Sequence, residues 1–255
     1  MLQDALLFFA GALGAILNAV VGGGSFITFP ALLAAGVPAV QASASSTFVL
    51  WPAVAASTLA YWRELTVPKR LFVALAVTSL AGGIAGALLL LHIPSSNFVR
   101  LVPWLLLVAT LIFSLGRRVV ESAGERVDER GAGALALAFF LQLAIAVYGG
   151  FFGGGMGIMM LAAWSLLGMK GLHGMNALRL VLSVMINGAA IVPFLAHRSI
   201  AWRPALVMVL GAVIGGYAGA RYARQLSPRW LGRLVVVIAW AMTGYFFLTI
   251  TLAGK

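Results

Sequence analysis

Cysteine is absent from this chain of 255 residues, and only six residues are acidic. The lack of cysteine excludes disulfide bonds, a thiol nucleophile and thiolate metal ligands. The acidic residues all lie outside the middles of the apolar segments: Asp4, Glu64, Glu121, Glu125, Asp128 and Glu129. A paired-carboxylate active site, an intramembrane carboxylate relay and a cage for a divalent cation are therefore not expected.

Histidine is almost as scarce, and the three histidines do not have the spacing of metal ligands. His92, His173 and His197 are far apart in the sequence, each near the end of an apolar segment. No pairing of a nucleophile with a base accompanies them. We therefore expect no catalytic residues, no metal site and no cofactor, and we do not expect an enzyme.

The chain is rich in apolar residues. Hydrophobic residues make up 62% of it and charged residues 9%, and the mean hydropathy is +1.06. The runs 71–91, 101–115 and 234–252 approach or reach the roughly 20 residues that a membrane-spanning helix needs. This composition predicts an all-α polytopic membrane protein, a multi-pass protein of the cell inner membrane that is surrounded by the lipid bilayer.

The formal net charge of +11 raises the question of a nucleic-acid partner. The lysines and arginines lie in short connections between apolar segments, however, which is where membrane proteins carry their loop charges. We therefore expect no nucleic-acid partner. Residues 1–4 contain no basic residue and do not resemble the start of a secretory signal, so the first apolar segment is expected in the mature protein.

Two groups of glycines recur along the chain at a nearly constant separation. The triplet Gly22–Gly24 is repeated 131 residues later as Gly153–Gly155. The glycine group at 82–86 is repeated 133 residues later at 215–219. This recurrence predicts the duplication of one structural unit, with two extra residues in the second copy. The later glycine groups have the spacing of small residues that let membrane helices pack closely.

Each copy comprises five apolar segments. They are 5–21, 25–36, 39–61, 67–91 and 98–116 in the first copy, and 132–148, 156–168, 175–196, 203–221 and 231–252 in the second. These boundaries predict a first transmembrane repeat over 1–116, a polar linker over 117–130 and a second repeat over 131–255. The segment after each triplet is too short to cross the hydrocarbon core comfortably. We therefore expect a Gly-broken helical hairpin followed by three transmembrane helices in each repeat.

The distribution of basic residues indicates how the repeats are oriented. If the segments on either side of each triplet form a hairpin, the repeats are inverted, and 13 of the 17 basic residues lie on the side of the linker. If they form one broken span instead, the repeats are parallel and the split is 10 to 7. Basic residues concentrate on the cytoplasmic side of membrane proteins. Inverted repeats, a cytoplasmic linker and two external termini are therefore favoured.

The glycine triplets are the strongest candidates for a functional site. Non-helical backbone is tolerated in a membrane only inside protein or beside a water-filled cavity. Breaks at equivalent places in two repeats are typical of a substrate site near the midplane, where helix N-termini offer amides and a positive dipole end to an anion. The predicted substrate-binding residues at the breaks are Asn18, Gly22, Gly23, Gly24, Ser25, Gly153, Gly154, Gly155 and Met156.

The helix after each predicted hairpin supplies further polar candidates for substrate binding. They are Ser43, Ser45, Ser46 and Thr47 in the first repeat, and Asn176, Arg179, Ser183 and Asn187 in the second. The second set recurs every three to four residues, so its members share one helix face. Two alternatives stay open at this point. Arg179 could extend toward the nearby cytoplasmic surface, and the hydroxyl groups could bond carbonyls of their own helix.

Several of these residues also belong to runs that resemble the TauE/SafE sulfite exporter family. In the first repeat the runs are 22–30 (GGGSFITFP), 36–38 (GVP) and 42–47 (ASASST), and in the second they are 198–219 and 226–229 (LSPR). The resemblance covers nearly the whole chain, in the same order and spacing. It implies the export of small sulfur-containing anions, such as sulfite or organosulfonates like sulfoacetate, from the bacterial cytoplasm.

One departure from the family pattern concerns the second triplet. It is followed by Met156 rather than by a polar residue, so equal contributions of the two halves to binding are not assumed. The leading hypothesis is a secondary transporter that moves its anion by alternating access. An anion channel and a transporter of another small, carboxylate-type anion are the alternatives, and the sequence does not predict an oligomeric state.

The inverted topology predicts the outcome of a labelling experiment. Because the chain has no cysteine of its own, single cysteines introduced by Ser122→Cys and by Gly254→Cys, beside Lys255, can be labelled separately. We expect a membrane-impermeant thiol reagent to reach the two positions from opposite sides of the membrane. Labelling of both from the same side would contradict the inverted arrangement.

Overall fold

The computed structural model describes residues 2–20, 22–65, 67–122, 132–167, 169, 172–222 and 228–253. All regular structure in these ranges is helical. The helices are α1 (Leu2–Val20), α2 (Ser25–Ala34), α3 (Ala39–Tyr61), α4 (Lys69–His92), α5 (Ser95–Ser122), α6 (Ala132–Phe151), α7 (Met156–Leu166), α8 (Leu172–Ala196), α9 (Trp202–Tyr222) and α10 (Pro228–Ala253). A short 3-10 turn, Trp62–Glu64, follows α3.

Four of the described helices are long and apolar enough to cross a membrane by length and composition. These stretches are Leu2–Ala19, Lys69–His92, Ser95–Ile112 and Gly174–Ala196. Large apolar side chains point outward, with Leu59, Phe140 and Leu210 being 79%, 65% and 64% exposed. Such exposure would be costly in water but suits lipid. The prediction of an all-helical, multi-pass membrane protein is confirmed.

The helices agree with the predicted apolar segments to within a few residues at most ends. The largest difference is at α5, which continues to Ser122 and so runs six residues into the predicted linker. The sequence from Gly116 to Ser122 contains no proline that would end a helix. Helix α5 can therefore continue beyond the apolar segment. Residues 123–130, which make up the rest of the predicted linker, lie outside the described part of the chain.

The first helix of each half packs against the fourth helix of the other half. Helix α1 lies along α9, and α6 lies along α4. Glycines make these contacts close. A Cβ atom built on Gly82 would lie 3.1 Å from the carbonyl oxygen of Leu143, and one built on Gly215 would collide with the carbonyl oxygen of Ala12. Since Gly82 and Gly215 are equivalent under the glycine recurrence, the two contacts are equivalent as well.

Two hydrogen bonds join residues that are 133 positions apart. The indole nitrogen of Trp51 donates to the carbonyl oxygen of Val184 at 3.1 Å, and the hydroxyl groups of Thr110 and Thr243 lie 3.1 Å apart. This separation is the one that relates the glycine groups of α4 and α9. Both hydrogen bonds join an element of the first half to one of the second: α3 to α8, and α5 to α10.

The close approach of α4 and α6 predicts the effect of enlarging Gly86. A Cβ atom there would collide with the carbonyl oxygen of Val147 and lie 2.8 Å from the amide nitrogen of Phe151. Because overpacking that displaces backbone costs roughly 1–3 kcal/mol or more, we expect Gly86→Leu to lower the unfolding temperature in detergent by several degrees. Gly244→Leu is the matched control, because nothing lies within 4 Å of a Cβ atom at Gly244. Equal stability of the two variants would contradict this packing.

Candidate functional site

Both glycine triplets interrupt the chain between two helices with a left-handed glycine. Gly22 has φ +84° and Gly153 has φ +77°, a conformation that glycine adopts without steric cost. The amide of Gly22 donates to the carbonyl oxygen of Leu17, and the amide of Gly153 donates to that of Tyr148, both at 3.2 Å. Leu17 and Tyr148 are themselves 131 residues apart. The two helices therefore end in the same way at equivalent positions.

The helices that leave the two breaks also begin alike. The carbonyl oxygen of Gly24 accepts hydrogen bonds from the amides of the third and fourth residues of α2, and that of Gly155 accepts the corresponding bonds in α7, at 3.0–3.2 Å. The first amides of a helix have no partner within the helix, and the helix dipole makes this end positive. Among the described residues, the amides of Gly154, Gly155 and Gly157 donate to no backbone carbonyl. Both short helices thus present their positive ends at the breaks.

A small cavity lies where the two breaks meet α1, α3 and α8. The space open to the centre of a water-sized sphere is about 20 Å³, which is room for about one water molecule. Nine of the predicted site residues line the cavity: Asn18, Gly22, Ser25, Thr47, Gly153, Met156, Arg179, Ser183 and Asn187. Four residues that were not predicted complete the lining: Leu50, Val54, Gly157 and Leu180.

Arg179 brings a positive charge into this cavity. Its side chain is only 2% exposed, and its Nε donates to the Oδ1 of Asn176 at 2.9 Å. An arginine that extends to the membrane surface would keep its head in water, so the burial of Arg179 argues against that alternative. Asn176 does not line the cavity; it holds the guanidinium from the preceding helical turn.

The guanidinium of Arg179 fits between two glycines from different halves. A Cβ atom built on Gly22 would lie 2.5 Å from its Nη1, and one built on Gly157 would lie 2.6 Å from the same atom. Real Cβ atoms do not approach a nitrogen that closely, so any other residue at either position would displace the guanidinium. The first break and the start of α7 therefore shape the space that Arg179 occupies.

Electrostatically the cavity is simple. Among the lining residues that the structure describes, Arg179 is the charged one, and the polar remainder consists of amides and hydroxyls. Within the described part of the chain, no group of three or more His, Asp or Glu side chains could hold a metal ion. A site with one buried cation, several neutral donors and two positive helix ends is suited to bind an anion.

Two of the predicted hydroxyl residues on α3 point away from the cavity. The Oγ of Ser45 accepts a hydrogen bond from the amide of Ala201 at 2.9 Å, at the start of α9. The Oγ of Ser46 lies 2.6 Å from the Oγ1 of Thr28 in α2. Both serines therefore tie α3 to neighbouring helices in this structure.

The other two hydroxyls of this group lie nearer to the breaks. The Oγ of Ser43 donates to the carbonyl oxygen of Phe151, just before the second triplet, at 3.4 Å. Thr47 lines the cavity, while its own hydroxyl donates to the carbonyl oxygen of Ser43 at 3.1 Å. That bond leaves the Thr47 oxygen able to accept a further hydrogen bond.

The remaining four triplet glycines form the turns rather than the cavity wall. Gly24 packs closely against α1. The carbonyl oxygen of Gly154 accepts a hydrogen bond from the hydroxyl of Tyr148 at 2.8 Å. The carbonyl oxygens of Gly23 and Gly155 accept amides from the first turns of α2 and α7. These residues shape the breaks, and Gly22 and Gly153 are the members that face the cavity.

Comparison with known sequences connects this geometry to a family. Residues 7–246 match the family described as "Sulfite exporter TauE/SafE". The chain belongs to this family. No solved structure matches it.

The similar curated proteins are described as membrane transporters. One from Sinorhizobium sp, "Probable membrane transporter protein ORF9", is 29% identical over 79% of this chain and 76% of its own length. A "Probable membrane transporter protein" of Haemophilus influenzae is 28% identical over 78% of this chain and 76% of its own length. "Probable membrane transporter protein YfcA" of Escherichia coli K12 is 27% identical over 58% of this chain and 54% of its own length. The TauE/SafE chain described here is thus a member of a membrane transporter family.

The lining residues that sequence reasoning missed carry weak signals. Leu50 and Val54 follow Thr47 at helical spacing, so they fall on the same face of α3. They are apolar, however, and in an apolar helix nothing marks them as part of a site. Gly157 differs from its neighbours only in lacking a side chain, and its role is visible only once the position of Arg179 is known.

Gly157 therefore offers a test of the site that leaves the fold intact. It lies inside α7 and has no left-handed φ, so alanine can adopt its backbone conformation, and the clashing atoms belong to the flexible end of Arg179. We expect Gly157→Ala to move the guanidinium and to weaken anion binding about tenfold, without a large change in unfolding temperature. Titration by calorimetry measures the first effect and thermal unfolding the second.

Gly244→Ala is the control for this prediction, since a Cβ atom at Gly244 meets nothing within 4 Å. Unchanged anion affinity in Gly157→Ala would show that the position of the guanidinium does not matter for binding.

Proposed function

We propose that this protein is a secondary transporter that exports small sulfur-containing anions, sulfite or organosulfonates such as sulfoacetate, across the bacterial inner membrane. The observation that carries the proposal is the convergence of a buried arginine and two helix N-termini on one cavity inside a membrane protein. The family description supports the sulfur chemistry, and the curated relatives support transport.

The chemistry of the cavity is suited to an oxyanion. Charge-assisted hydrogen bonds from a guanidinium are stronger than neutral ones. Amide groups at a helix N-terminus add donors that need no rearrangement to meet an anion. The side chains of Asn18, Ser183 and Asn187 can supply further donors to the oxygen atoms of the same ligand. Sulfite and sulfonates present several such oxygens around one sulfur atom.

Within this proposal the two halves are inverted repeats, with both termini outside and the linker in the cytoplasm. The sequence support is the 13-to-4 distribution of basic residues. The structural support is that each half contacts the other through equivalent positions: α1 with α9, α6 with α4, and Thr110 with Thr243. Inverted repeats with discontinuous helices at their interface are a common architecture of secondary transporters.

Alternating access is supported by a difference between the two halves. Helix α7 packs closely against α5, whereas α2 and α10 touch through the rings of Phe29 and Phe246 and line a cavity of about 530 Å³. These are equivalent contacts, and inverted repeats that differ in this way can exchange their arrangements to give a second state. The space of about 20 Å³ at the breaks is smaller than a sulfonate group, so binding requires the breaks to move apart.

The test is the affinity of the purified protein and two variants for sulfite, sulfoacetate, sulfate and acetate. We expect sulfite to bind better than acetate. Arg179→Gln should weaken sulfite binding by about 10- to 100-fold, because a charge-assisted bond in a buried site contributes roughly 1.5–3 kcal/mol. Arg179→Lys should be intermediate, since it keeps the charge but loses the planar fork.

Arg100→Gln is the matched control, because Arg100 is an exposed arginine of α5. Wild-type affinity in Arg179→Gln would refute the role of this arginine. In proteoliposomes, flux that saturates with substrate concentration supports a transporter, whereas non-saturating flux would favour an anion channel. Preferential binding of acetate would favour a carboxylate substrate instead.

A further inference from the structure

We infer that the cavity at the helix breaks selects anions that carry a single negative charge. Sulfite would accordingly be bound as hydrogen sulfite, and sulfonates with one charge would be preferred over dianions such as sulfate. Of the substrates named in the proposed function, sulfoacetate carries two charges and would therefore bind less tightly than hydrogen sulfite. The inference rests on the proposed function, because it concerns the same site, and it narrows the class of substrate that this site accepts.

The first argument is the number of charges in the lining. Arg179 supplies one full positive charge, and the other polar lining groups are neutral. The electrostatic cost of removing an ion from water grows with the square of its charge, so a dianion loses about four times the hydration energy of a monoanion of the same size. One guanidinium compensates the first charge. Only amides, hydroxyls and partial charges at the helix ends are left for the second.

The second argument is that water inside the cavity cannot solvate the second charge of a dianion. The cavity has room for about one water molecule, so breaks that move apart only far enough to admit the anion leave no room for its hydration shell. Part of the wall is apolar: Leu50, Val54, Met156 and Leu180 offer no hydrogen-bond donors from their side chains. A second charged group would face this wall without a partner, which is costly in a medium of low dielectric constant.

The third argument concerns the shape of the donor set. The guanidinium of Arg179 enters from between Gly22 and Gly157, and the side chains of Ser183 and Asn187 follow it along one face of α8. Most of the polar lining groups therefore belong to the breaks and to α8, whereas α3 contributes Thr47 beside the aliphatic Leu50 and Val54. A ligand with one oxyanion head and an uncharged remainder matches this division.

A change in the charge of the lining residues with pH would not explain a pH-dependent affinity for sulfite. Arg179 is the titratable side chain among the lining residues, and arginine stays charged throughout the physiological range. Tyr148, beside the second break, donates its hydroxyl to Gly154 and does not line the cavity. Asp4 of α1 and Glu64 of the 3-10 turn beside α8 do not line the cavity. A change of sulfite affinity near neutral pH would therefore report on the ligand.

A series of nearly isosteric sulfur compounds tests the inference. Dimethyl sulfone, methanesulfonate and sulfate share a four-substituted sulfur of similar size and carry no charge, one and two negative charges. We expect the purified full-length protein to bind methanesulfonate at least about tenfold more tightly than either of the others. Sulfate binding as tight as that of methanesulfonate would overturn the inference, although it would leave an anion site in place.

Sulfite provides a second, independent readout through its own titration. As the pH rises through the neutral range, hydrogen sulfite loses its proton and becomes a dianion. We expect the apparent affinity for sulfite to fall over this range, while the affinity for methanesulfonate, which stays singly charged, remains constant. A sulfite affinity that rises with pH would overturn the inference. Weak binding of every anion at every pH would instead overturn the proposed function itself.

The variants at Arg179 assign the selectivity to this residue. In Arg179→Gln, methanesulfonate should bind no more tightly than dimethyl sulfone, whereas Arg179→Lys should keep the preference for the singly charged ligand. Retention of that preference in Arg179→Gln would show that another group sets it. The ligand series on the wild-type protein needs no variant, so a folding defect in either one does not prevent the test.

Discussion

The arrangement of the site depends on placing one arginine side chain inside an apolar helical bundle. A charge at membrane depth is costly unless the protein surrounds it with polar groups. The guanidinium of Arg179 reaches such a place because neither Gly22 nor Gly157 has a side chain to occupy it. Gly22 lies in the break that follows α1, and Gly157 lies in the first turn of α7. The interruptions of α1 and α6 therefore provide both the space for the cation and the amides around it.

The same break is built twice, but the two halves use it differently. Both breaks share their hydrogen bonds and their left-handed glycines, Gly22 and Gly153. Gly24, however, precedes α2 in a right-handed conformation, whereas Gly155 precedes α7 in a left-handed one. The helices that follow diverge further: α8 supplies the charge, two polar side chains and Leu180, and α3 supplies one threonine and two aliphatic side chains. Among the described lining residues, the charged side chain therefore comes from the second half.

Length and composition were sufficient to predict the helices, because a membrane span must be long and apolar and the glycine recurrence marks equivalent places. Sequence reasoning finds residues that line the cavity where a residue type is costly in a membrane, as for Arg179, or breaks a helix, as for Gly22. It does not give the partners of Ser45 and Ser46, since adjacent residues of a helix point in different directions and the helix that packs beside each one decides its partner; their part in substrate binding stays a prediction. It does not find Gly157, because an empty space has no signal in the sequence until its occupant is known.

The helices that form the site also connect it to the outer surface of the bundle. Helix α2 begins at the first break and lines the larger cavity together with α10, while α7 begins at the second break and packs against α5. On the alternating-access mechanism proposed above, a displacement of α2 toward α10 would fill that larger cavity and move Ser25 away from Gly153 of the second break. The small volume around Arg179 and the large volume beside α2 would then both depend on the position of α2.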